Sequence, residues 1–127
     1  MSRLAAIGAR LADLVAIGLR LPEVEWRRVK EGPAAAVPKL RARGSAAPRR
    51  TPEDRAQLRR LIALVDRFFP GEPNCYRRAL LEMSLDAGAA EEPLHLGLKV
   101  PGGPRSGHAW LGTSGALPGA YDVQVDI

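Results

Sequence analysis

Apolar residues recur at Leu4, Ile7, Leu11, Leu14, Val15 and Leu19, the spacing of one helix face, and predict a helix over residues 3–20. Pro22 is expected to end it, or to start a short helix through Glu23-Val24-Glu25-Trp26-Arg27-Arg28-Val29. From Gly32 to Arg50 the prolines, glycines and small residues predict a connector with little regular structure. Thr51-Pro52-Glu53-Asp54 then sets a helix start, with Thr as cap, Pro at the first helical position and acids in the first turn. That helix is expected to reach about Phe69, burying Leu58, Ile62, Val65 and Phe69, before Pro70-Gly71 stops it. A further helix begins near Cys75, with Tyr76, Ala79, Leu80, Met83 and Ala87 inward and Gly88 as its stop. Beyond it the period changes from helical to twofold. Leu94, Leu96, Leu98 and Val100 alternate with His95, Gly97 and Lys99, a half-buried strand. A turn-rich loop over 101–107 leads to a second strand, His108 to Thr113, and a third follows from Tyr121 to Ile127. In the third, Tyr121, Val123, Val125 and Ile127 share one face, and Asp122, Gln124 and Asp126 the other. Helices first and a short antiparallel sheet last make an α+β fold, divided into a helical segment with flexible connector (1–50) and a core (51–127).

At 127 residues the chain suits one domain that buries roughly two-thirds of its extended surface. Aromatics make up only 5%, so Leu, Ala and Val must build the core. The net charge of +5 and the cluster Lys39, Arg41, Arg43, Arg49, Arg50, Arg55, Arg59 and Arg60 raise the question of nucleic acid. No zinc spacing, recognition-helix signature or aromatic stacking surface accompanies the cluster, so no nucleic-acid partner is expected. A docking surface for an acidic partner, or a solvated face, explains it better. The opening Met1-Ser2-Arg3 and the apolar residues after it imitate a secretory signal, but Arg10, Asp13 and Arg20 interrupt the run. No stretch is apolar enough to span a membrane, and one cysteine makes no internal disulfide. A cytoplasmic protein is expected.

Cys75 is where chemistry enters. It sits at the start of a predicted helix, where unpaired N–H groups and the positive end of the macrodipole favour a thiolate. His108 follows on a strand, and a thiolate beside an imidazole is the core of a cysteine hydrolase. The plainer alternative is a small buried hydrophobe. Cys75, His95, His108 and an aspartate match no zinc spacing, so neither metal nor cofactor is expected. His95 reads as solvated or structural and Trp110 as core packing. Arg77 and Arg78 oppose the helix dipole, which suggests that one binds a carboxylate or helps ionise the thiol.

Helix with Cys, strand with His, strand with Asp resembles the transglutaminase-like, papain-type cysteine hydrolases. More narrowly, about residues 58–122 resemble the leader peptidases of lasso-peptide biosynthesis, the microcin-processing family. The resemblance rests on Cys75-Tyr76-Arg77-Arg78-Ala79-Leu80, where the family has Cys-Leu-x-Arg-Ser-Leu, and on Gly107-His108-Ala109-Trp110-Leu111, where it has His-Ala-Trp-Val. It implies Cys75 as nucleophile and His108 as its acid–base partner, with a carboxylate on the neighbouring strand to hold the imidazole. Asp122 is the choice for that carboxylate, with an insertion around Leu117-Pro118-Gly119. Asp126 shares its face but lies roughly 13 Å farther along. The Cys75 N–H is expected to serve the oxyanion.

The activity so implied is removal of the leader from a ribosomally made precursor peptide, followed by ring closure by a separate macrolactam cyclase. Family members of this length rely on a separate leader-binding protein, and the basic connector and the exposed face of the first helices are candidate docking sites. Two other classes stand beside this: a non-catalytic scaffold of the same fold, and amide exchange or deamidation through the same acyl-thioester. Retention of both Cys75 and His108 argues against the scaffold.

Overall fold

The computed structural model describes residues 2–98, 107–112 and 123–127. Five helices precede three strands: α1 (Arg3–Lys30), α2 (Pro33–Ser45), α3 (Pro52–Phe68), α4 (Cys75–Leu85), α5 (Ala87–Ala90), β1 (Leu94–Leu98), β2 (Gly107–Leu111) and β3 (Val123–Asp126). The strands form one antiparallel sheet in the order β2-β1-β3. The architecture is therefore α+β, mostly helical with a small sheet.

Helix α4 is the hub. All of its residues from Ala79 to Leu85 are buried, as helices α1, α2 and α3 and strand β2 pack around it. A buried stretch of helix must be apolar nearly all round, and the two polar exceptions between Ala79 and Leu85 are satisfied. Ser84 Oγ donates to the Leu81 carbonyl, and Glu82 accepts from Arg55 and Arg59. One cluster of buried side chains joins Ile17, Val24, Val37 and Leu40 to Leu58, Ile62, Leu80, Leu81, Met83 and Leu94. The first fifty residues thus share a core with the rest.

Several expectations need correction. Residues 33–45 are not an irregular connector but helix α2, started by Pro33 at its first turn and burying Ala36, Val37, Leu40 and Gly44. Pro22 neither ends nor starts a helix, since α1 runs through it to Lys30. The apolar face of α1 read from the sequence points outward: Leu4, Ile7, Leu11, Leu14, Val15 and Leu19 are exposed, whereas Ile17 and Val24 face the core. Gly88 does not stop α4. Asp86 does, and its carboxylate then accepts the Gly88 and Ala89 N–H groups to start α5. The basic cluster is largely consumed internally, with Arg41 on the Glu92 and Ile127 carbonyls, Arg43 on Glu23, Arg50 on Asp13 and Arg55 on Glu82 and Glu92.

Candidate functional site

The segment ahead of α4 is held from two sides. The Asn74 side chain caps the helix by accepting the Arg77 N–H at 2.9 Å, while the Asn74 N–H donates to Asp66 Oδ2 at 3.0 Å. Asp66 projects from α3 and is 1% exposed; its other oxygen receives Arg77 Nη1 at 2.6 Å. Arg77 continues to Glu25 on α1 at 2.5 Å and lies over the Phe69 ring. Burial works against the charge of Arg77, and its bonds to Glu25 and Asp66 outweigh that and raise its pKa. Hydrogen bonds from Arg28 lower the Glu25 carboxyl to about 2 against burial, and Arg77 adds to the effect. Arg77 is thus a carboxylate-bound strut beneath the helix start, joining α1, α3 and α4.

Cys75 is the first residue of α4 and half-buried. Its Sγ accepts the Ala109 N–H at 3.2 Å. That contact follows from the register. Ala109 lies opposite Leu96 in an edge strand, and its N–H turns away from β1 toward α4. His108 precedes Ala109, so the free edge of β2 brings the imidazole-bearing residue alongside the helix start.

Two cavities meet at this point. One, of about 650 Å³, is lined by Cys75 and His108 together with Pro33, Glu72, Tyr76 and Leu96. The other, of about 420 Å³, is lined by the same Cys75 and His108 with Arg59, Arg78, Glu82 and Trp110. A chain laid across the thiol has room on both flanks.

Asp122 lies outside the described residues, so its distance from His108 is not described. Among the described strands, β1 separates β2 from β3, so the strand that carries Asp126 is not the one beside β2. Opposite His108 in the register is Gly97, and opposite Gly97 is Gln124. Asp126 is opposite His95 and hydrogen-bonds its Nδ1 at 2.5 Å, which lowers the Asp126 carboxyl, with help from Gln124. The Trp110 ring stands between the two imidazoles, 5.4 Å from His108 and stacked, 5.3 Å from His95 and tilted. His95 is therefore paired, and Trp110 packs against the imidazoles on the sheet face that bears them.

Three contributors were missed in the sequence. Asp66 occupies a core-facing position one turn after Ile62, and an acid inside an apolar stripe is a legible sign of a buried partner. Asn74 directly before an apolar helical run is a cap signal. Arg59 carried no mark that set it apart from its basic neighbours. Among the described residues no group of three or more His, Cys, Asp or Glu side chains is placed to hold a metal ion.

A family model described as "Transglutaminase-like superfamily" matches residues 18–124, which includes Cys75, His108 and Asp122. No curated protein and no solved structure matches the chain.

Proposed function

The chain belongs to the transglutaminase-like superfamily, and from that premise we propose that it is a cysteine peptidase that cuts the leader from a ribosomally made lasso precursor. The observation that carries the reading is the placement of Cys75 at the first position of α4, in cavities it shares with His108. In the reaction, His108 takes the Cys75 proton and the sulfur bonds to the scissile carbonyl carbon. The resulting oxyanion is held by N–H groups at the helix start, the Cys75 N–H among them, which the intrahelical ladder leaves unused. The C–N bond then breaks as His108 returns the proton to the leaving amine. Water, deprotonated by the same imidazole, releases the acid from the thioester. Asp122 is the carboxylate proposed to hold the imidazole.

A separate leader-binding protein supplies the precursor, and the outward apolar face of α1 is where it docks. Among the described residues, α1 presents the largest exposed apolar stripe. Ring closure by the macrolactam cyclase follows in the cytoplasm, a compartment that keeps a lone thiol reduced.

The direct test is cleavage of the precursor in the presence of the leader-binding protein. Cys75→Ala should abolish it with an unchanged circular dichroism spectrum, and surviving cleavage would end the peptidase reading. A second measurement needs no substrate. Iodoacetamide should alkylate Cys75 at pH 6 faster than it alkylates free cysteine, and His108→Ala should slow that reaction about tenfold. Slow labelling that requires denaturant would make Cys75 a packing residue.

A further inference from the structure

The two cavities that meet at Cys75 differ in chemistry. The larger is walled by Pro33, Pro73, Tyr76, Leu96 and Ala109, with Glu72 as the one acid among the described residues. The smaller carries two arginines, Arg59 from α3 and Arg78 from α4, above a floor that includes Ile62, Trp110 and Leu111. Cys75, Arg78, Ala79 and Glu82 recur at helical spacing, so they share one face of α4 and Arg78 stands one turn from the sulfur.

Among the described residues, arginines outnumber carboxylates around this cavity. Glu82 is the one described carboxylate that lines it, and it already accepts Arg55 Nε at 2.5 Å and Arg59 Nε at about 3 Å. Arg78 leans on Asp66 at 3.5 Å, but Asp66 is committed to Arg77 Nη1 and the Asn74 N–H. Both cavity arginines keep nearly half of their side-chain surface open, 46% for Arg59 and 43% for Arg78. Their Nε atoms are turned to internal carboxylates. Each guanidinium has two further NH2 groups, in the planar fork that suits a carboxylate.

We propose that this cavity is a carboxylate subsite, in which Arg59 and Arg78 hold an acidic group of the substrate immediately beside the bond that Cys75 attacks. The inference rests on Cys75 as the nucleophile and adds a substrate preference to it. The acidic group is an Asp or Glu side chain or a chain-terminal carboxylate, and both present the same pair of oxygens. A neutral amide in their place leaves the outward NH2 groups without a charged acceptor in a cavity partly walled by apolar side chains. Discrimination by charge is therefore expected, and it should weaken with salt.

The single cysteine permits a test that needs no precursor. Iodoacetate and iodoacetamide differ only in carrying a carboxylate or an amide beside the reacting carbon. The ratio of their rate constants at Cys75 therefore reads the charge preference, while the fraction of ionised thiol cancels. In the wild-type chain the ratio should exceed that for free cysteine about tenfold. It should fall about tenfold in Arg59→Gln/Arg78→Gln, and 0.5 M salt should narrow the difference. A ratio that stays at the wild-type value in the double variant overturns the subsite; fast iodoacetamide labelling in the same samples would leave the nucleophile reading standing. Inertness toward both reagents would show a cavity closed to solutes and overturn both. A third variant, Arg78→Glu, should push the ratio below that of free cysteine, which a loss of folding cannot imitate. Precursor peptides with Glu or Gln flanking the cut, and with free or amidated ends, then separate the two sources of the carboxylate. An acid preference at one flanking position identifies a side chain, and one lost only on amidation identifies a terminus.

Discussion

Arg77 and Asp66 meet at 2.6 Å with almost no access to water, and the arrangement that orders the cysteine segment depends on that pair. Removing one partner of a buried pair costs about 3–5 kcal/mol where the other charge is left bare, and the lower end applies here because Arg77 keeps Glu25. Asp66→Ala should therefore lower the unfolding free energy by that amount in urea titrations. It also strips the acceptor from the Asn74 N–H, so Cys75 alkylation should change even where the chain remains folded. Asp66→Leu with Arg77→Met should recover part of the stability, because no orphan charge remains; a double variant as unstable as the single ones would place the cost elsewhere. Glu25 extends the same network and adds a pH dependence. Its carboxyl is depressed to about 2 in the folded chain from an ordinary 4.5. The stability it contributes is thus complete above pH 4.5 and lost as pH falls from there toward 2. Melting curves of the wild type and Glu25→Gln should converge across that window and stay separated above it. On the sheet, Asp126 already serves His95, so Asp126→Ala should cost little cleavage while Asp122→Ala costs at least tenfold. Equal losses would move the orienting role away from Asp122.

Helices α2 and α4 approach so closely that Gly44 has no room for a side chain. A Cβ there would lie 1.8 Å from the Met83 carbonyl oxygen and 2.9 Å from the Ala90 Cβ. The carbonyl belongs to the central helix and cannot rotate away, so Gly44→Ala must push α2 outward and should destabilise by about 3 kcal/mol in chemical denaturation. This contact also explains why α2 was not legible in the sequence. Pro33, Pro38 and Gly44 are helix breakers by local preference, yet the first starts the helix, the second sits inside it and the third permits the packing. Pro22 misled in the same way: α1 runs through it, with Ile17 on one side and Val24 on the other buried in the shared core. Elements whose local chemistry agreed with their packing were legible. Thr51 caps α3 by accepting the Asp54 N–H, and the twofold alternation of 94–98 is strand β1. Strand order was not. Alternation assigns residues to faces but not strands to neighbours, so nothing in the pattern placed β1 between the His108 strand and the aspartate strand. The same reasoning separates the two halves of the site: Cys75 was marked by its place in a helix start, whereas Arg59 acquires its role only when α3 packs beside α4.

At the scale of the whole molecule, most charges among the described residues are paired, and the apolar surface is what stands out. Leu4, Ile7, Leu11, Val15, Leu19, Trp26 and Val29 line the outer side of α1, with Leu4 and Leu19 more than three-quarters exposed. Spacings of three, four and once seven, near multiples of 3.6, keep these residues on one side of a 28-residue helix, or about 42 Å. Together these side chains offer on the order of 900 Å², comparable to what one partner contributes to a standard interface. Among the described residues, α1 supplies the core from its opposite face through Ile17 and Val24. If the leader-binding protein docks there, as proposed, removal of the stripe should separate docking from folding. In Leu11→Glu/Val15→Glu/Leu19→Glu the melting temperature should stay within a few degrees of the wild type, because exposed substitutions change stability little. Iodoacetamide should still alkylate Cys75 at the wild-type rate, since the stripe lines neither cavity. Precursor cleavage that depends on the leader-binding protein should fall at least tenfold, with a matching loss of binding in titration calorimetry. Wild-type cleavage and affinity in this variant would mean that the partner approaches from another side, and that the α1 stripe does not recruit it.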